Sequence, residues 1–72
     1  MITFDQVVSI LEEKSSIDNI EEQQKQVKEL NLPSQLTNLI SGYCALVNQE
    51  IIFNVNNTKH KEICLNWIKD IL

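Results

Sequence analysis

The sequence predicts an α+β domain: three N-terminal helices, one β-hairpin and a C-terminal helix, forming a single domain over residues 1–72. Three observations carry that expectation. Apolar residues recur at helical spacing through the first forty residues and again from Ile63 to Ile71. Between these regions, "YCALVN" and "EIIFNVN" are rich in β-branched and aromatic residues and flank Asn48 and Gln49, a pair suited to a turn. One Gly, one Pro and 43% apolar residues exclude a flexible or low-complexity chain.

The first helix has a complete start signal. In "ITFDQV", Thr3 and Gln6 form a capping box, with Ile2 and Val7 placed as a hydrophobic staple. Phe4, Val7, Val8 and Leu11 then share one face of a helix expected from Phe4 to Lys14. Ser16 is the expected cap of the second helix. Asp18, Glu21 and Glu22 fill its start and Lys25 and Lys28 its end, the order that the helix dipole favours. Its apolar stripe of Ile17, Ile20, Val27 and Leu30 is narrow and interrupted by Gln23 and Gln24.

After "NLP" the helical spacing resumes with Leu36, Leu39 and Ile40, and Gly42 is expected to end the third helix as a left-handed cap. The competing expectation carries this helix through Gly42 to Val47, since Leu36, Ile40, Tyr43 and Val47 keep helical phase. The hairpin is preferred because "IIFNV" needs a strand partner and "CALV" is the nearest one. Asn57 or Thr58 then caps a last helix with a wide apolar stripe of Ile63, Cys64, Trp67, Ile68 and Ile71. The core expected of so short a chain is small and mostly aliphatic, with Phe4, Tyr43, Phe53 and Trp67 as its large pieces.

Charge is unevenly distributed. Residues 1 to 30 hold seven acids against Lys14, Lys25 and Lys28, which accounts for the entire net charge of −4. Residues 31 to 72 are neutral, and the chain has no arginine. Glu12, Glu13, Asp18, Glu21 and Glu22 gather at the junction of the first two helices and form the candidate partner-binding patch. Such a patch steers a basic protein surface towards it.

Residues 24–42 resemble a helix-turn-helix. Val27, Leu30, Leu32 and Ile40 occupy its apolar positions, and Asn31 stands where the turn takes a left-handed residue. Gln26 and Thr37 fall where that pattern places apolar residues. The would-be recognition helix, "PSQLTNLIS", carries no Lys or Arg, so little would neutralise phosphates or contact guanine. The expectation is that nucleic acid is not the partner.

No catalytic, cofactor-binding or metal-binding residue is assigned. Cys44 lies among apolar residues that raise a thiol's pKa, and His60 in "TKHK" is flanked by lysines, so the pair does not read as a nucleophile with its base. Cys44 and Cys64, without a CxxC pair, read as buried thiols of a reducing cytosol, and no secretory signal or membrane-spanning run is expected. By analogy of size and charge alone, the sequence reads as a non-enzymatic, cytoplasmic protein-binding module, an inhibitor or regulatory adaptor of the immunity, antitoxin or anti-host-factor type. A helix-turn-helix DNA-binding regulator is the alternative, and a structural subunit of a larger complex the next. A homodimer is expected to form by pairing hairpin edges through Ile52, Phe53 and Val55.

Overall fold

α1 starts where the capping box places it. In the computed structural model, which describes residues 2–72, the Gln6 backbone N–H donates to Thr3 Oγ1 at 3.2 Å and the Thr3 N–H donates to Gln6 Oε1 at 2.8 Å. The helix runs Phe4–Ser15. It closes when the Ser16 hydroxyl donates to the Glu13 carbonyl at 2.6 Å, so Ser16 ends α1 instead of capping the next helix. That role falls to Asn19, whose Oδ1 accepts the Glu22 N–H at 3.0 Å and opens α2, Ile20–Glu29. Asn31 makes the following corner at a left-handed φ of 55°, as the sequence implied.

α3 corrects the expected fold class. It is one helix, Ser34–Phe53, and α4 follows over Thr58–Ile71. The domain is therefore all-α, with no strand among the described residues. Gly42 does not cap a helix, and "YCALVN" and "EIIFNVN" do not pair. The alternative that kept helical phase through Gly42 was closer, although the helix extends past Val47 to Phe53.

The physical reason is tertiary. Leu36, Ile40, Cys44 and Asn48 recur every fourth residue and are all buried, so they form one stripe of a continuous helix, and a helix ending at Gly42 would take Cys44 and Asn48 off it. Val47, Ile51 and Ile52 lose only a few tenths of a kcal/mol each in a helix, and an isolated two-stranded hairpin is itself marginal in water. The left-handed residue that stops α3 is Asn54, at φ 51°.

α3 is the hub, packed against each of the other three helices. Around it gather Val7 and Leu11 of α1, Val27 of α2 and Ile68 of α4, with Leu36, Ile40 and Cys44 of α3 itself. This core is aliphatic, as expected, but its large pieces are placed differently. Phe4 and Tyr43 lie at its edge, while Phe53 (67% exposed) and Trp67 (56%) are outside it. Among the described residues no helix is long and apolar enough to cross a membrane.

The α3–α4 turn is held by polar contacts. Glu50, the only charged residue of α3, accepts the Lys61 ammonium at 2.8 Å and the Asn57 N–H at 3.0 Å. Asn57 stands at the N-terminus of α4, but its side chain donates back to the Leu46 carbonyl at 3.1 Å.

Gly42 distinguishes the two readings of α3. A Cβ built on it meets nothing within 4 Å, and its φ is not positive. Gly42→Ala is therefore expected to stabilise the domain by about 1 kcal/mol, raising the melting temperature by roughly 4–8 °C. A glycine serving as a left-handed cap would give the opposite sign, so a lowered melting temperature contradicts the continuous helix.

Candidate acidic corner and apolar helix end

The corner between α1 and α2 is tied by one buried side chain. Gln23, 2% exposed, donates its amide N–H to the Lys14 carbonyl at 2.9 Å and reaches the Ile17 carbonyl at 3.5 Å. Its Oε1 accepts the Asn48 side-chain N–H at 3.2 Å, so the same amide clips α1 and α2 to α3. Lys14 is also buried, and its ammonium donates to Gln26 Oε1 and Glu13 Oε1, each at 3.2 Å. Neither Gln23 nor Asn48 stood out in the sequence. Gln23 read as a polar interruption of an apolar stripe and Asn48 as a turn residue.

Around this corner all five predicted acids are exposed. Glu12 and Glu13 stand in the last turns of α1, Asp18 in the connection, and Glu21 and Glu22 in the first turn of α2. Their local ties are slight: Glu13 meets Lys14, and Glu22 Oε1 accepts the Gln26 amide at 3.1 Å. The acids of α2 suit its N-terminal dipole. Those of α1 oppose its C-terminal dipole, at a cost of about 0.3–1 kcal/mol each. Helix stability therefore does not account for Glu12 and Glu13.

The predicted dimer-contact residues Ile52, Phe53 and Val55 lie at the end of α3 and in the turn after it. Ile51 and Ile52 are one helical turn beyond Asn48, and so one turn beyond its bond to Gln23. Glu12 and Ser15 line a shallow groove together with Val47, one turn before Ile51. Ile51 continues the inward stripe of α3 past the point where α1 and α2 stop covering it, and it is 72% exposed. Ile52, Phe53 and Val55 are exposed as well, as is Ile20 at the start of α2. Ile52, Phe53 and Val55 are thus on a helix end and the turn after it, and have no strand edge to offer a second chain.

The other sequence candidates separate. Cys44 is fully buried and desolvation pushes its thiol from the ordinary 9.0 to about 11, while His60 lies exposed on the first turn of α4. Cys64 is also a free thiol, raised by partial burial. In the helix-turn-helix region, Ser34, Gln35 and Asn38 are exposed, but the Thr37 hydroxyl donates to the Leu32 carbonyl and Gln26 is held by Lys14 and Glu22. Comparison with protein-family models, curated proteins and solved structures finds no match. The fold and these exposed residues define a small all-α domain with an acidic corner and an uncovered apolar helix end.

Glu50 ties that helix end to the start of α4. The Lys61 hydrogen bond holds its carboxyl below the ordinary 4.5, with the Asn57 N–H assisting, and the same pairing raises Lys61. A lowered folded-state pKa adds stability above the unfolded value, and that stability is lost as pH falls through the folded one. Glu50→Gln is expected to lower the melting temperature at neutral pH, with the difference from wild type closing as the pH falls below the ordinary 4.5 and through the lowered folded-state value. A pH-independent difference would assign the loss to the amide substitution itself and not to the ion pair.

Proposed function

We propose that the domain is a non-enzymatic protein-binding module, an inhibitor or regulatory adaptor that presents the α1–α2 corner and the end of α3 to a basic partner. One observation carries this reading: five exposed acids stand at the α1–α2 corner, and Ile51 and Ile52 are uncovered one turn beyond the Asn48–Gln23 bond that ties that corner to α3. Acids speed encounter with a basic surface, and desolvated apolar anchors supply most of the lasting affinity in protein interfaces. A partner of this kind has a lysine- or arginine-rich rim around a shallow apolar socket. Two free thiols suit a reducing compartment, and the proposal places the domain in the cytoplasm.

The left-handed corner at Asn31 supports a second reading, in which α2 and α3 act as a helix-turn-helix on DNA. It stands second because α3 has no basic residue to hold phosphate.

The test is capture of the partner on immobilised wild-type domain, followed by association kinetics at low and high salt. Replacing Glu12, Glu13, Glu21 and Glu22 with glutamine is expected to slow association about tenfold at low salt and to flatten its salt dependence. Ile52→Lys is expected to speed dissociation and leave the fold intact, since the side chain is 63% exposed. A partner retained at unchanged rates by both variants contradicts the proposal. Micromolar binding of random duplex DNA at low salt puts the second reading first.

A further inference from the structure

The opposite side of the molecule has a different character. From Asn31 to Gln49 the chain has no charged residue, although Ser34, Gln35, Asn38, Ala45 and Gln49 are all exposed. Ordinary soluble surfaces are roughly 25–35% charged, whereas interface centres are depleted of charge. Leu39, Leu46 and Phe53 recur at a seven-residue period on this flank of α3, one stripe away from the buried face.

α4 extends the same surface. Phe4 of α1 meets α4 on the flank of Leu65 and Lys69, with the Lys69 ammonium 4.9 Å from the Phe4 ring centre. Ile63 and Trp67, four residues apart, therefore lie on the flank turned away from α1 and both are exposed, while Ile71 one turn further lines a groove with Ile2 and Leu36. Trp67 and Phe53 are each more than half exposed, and side chains of their kind bury about 150–250 Å² in a contact.

We propose that this outer face of α3 and α4 binds a second copy of the chain, with two-fold symmetry. Charge selects the occupant. The net −4 resides in residues 1 to 30, so two copies repel unless they meet through the neutral half. Contact there takes Phe53 into the dimer face but leaves both acidic corners and Ile52 free, so the dimer is independent of the proposed partner surface. α4 is also self-complementary: Lys59 and Asp70 are three turns apart on one line of the helix, with Ile63 between them. Crossing two α4 helices antiparallel sets Lys59 against Asp70 of the second copy and Trp67 near its Ile63, the reciprocal pairing that a two-fold axis requires. The area is sufficient. α3 is about 30 Å long and α4 about 21 Å, so their joint face, each helix about 10 Å wide, projects roughly 500 Å², the order of the ~800 Å² of accessible surface that each partner gives to a standard interface.

Trp67 is the only tryptophan, so wild-type fluorescence reports this face directly. Its emission is expected to shift to the blue as concentration rises from nanomolar to submillimolar, while sedimentation equilibrium passes from 8.3 kDa to twice that mass. Ile63→Lys is expected to retain wild-type circular dichroism, stay monomeric and keep the red-shifted emission throughout. Glutamine at Glu12, Glu13, Glu21 and Glu22 is expected to leave the dimer intact. A single 8.3 kDa species at every concentration overturns the proposal. A dimer that survives both Ile63→Lys and Trp67→Lys, or that Ile52→Lys alone dissolves, overturns it equally.

Discussion

The primary amide of Gln23 touches three helices at once. It donates to the Lys14 carbonyl in α1 and reaches that of Ile17 in the connection, belongs to α2, and accepts from Asn48 of α3. Placed in an aliphatic core, an amide is costly unless both its ends are satisfied, and here they are; no described buried side-chain polar atom lacks a partner. A hydrophobic side chain at this position would bury as well but would accept many registers of α2 against α3. The amide pair accepts one. That register decides where the acidic corner stands along α3, and how much of α3 extends beyond it.

The two surfaces follow from the same placement. Since α1 and α2 cover α3 only as far as Asn48, Ile51 and Ile52 are left uncovered at the end of α3. Since α1 takes one flank of α4, the other flank keeps Ile63 and Trp67 in solvent. A 72-residue chain has little interior to give to large side chains, and this core is filled by valine, leucine, isoleucine and one cysteine. The aromatics are outside because the interior is already closed by smaller groups. Charge then divides the exterior into an acidic half formed by α1 and α2 and a neutral half formed by α3 and α4.

Local chemistry was the most legible part of the sequence. The Thr3 and Gln6 box set the start of α1, Asn31 set a left-handed corner, and the charge division is plain from the residue list. The exposed acids of the corner were also legible, because charged side chains seldom bury. What failed depended on partners distant in sequence. Asn48 read as a turn residue since nothing nearby signalled that Gln23, twenty-five positions earlier, would bury it within a helix. The β-branched and aromatic residues from Ile51 to Val55 read as strand, but that propensity is weak and tertiary packing overrides it. Trp67 read as core because helical spacing identifies an apolar stripe without saying how much of its width a neighbour covers.

The double-mutant cycle between Gln23 and Asn48, using leucine at each site, tests most directly whether this amide pair sets the arrangement. Each single substitution strands a buried polar group and is expected to cost about 1–3 kcal/mol. The double variant removes both partners together, so its loss is expected to fall short of the sum by at least ~1 kcal/mol. Losses that add to within ~0.5 kcal/mol would mean the two amides do not act together, and that some other contact sets α2 against α3.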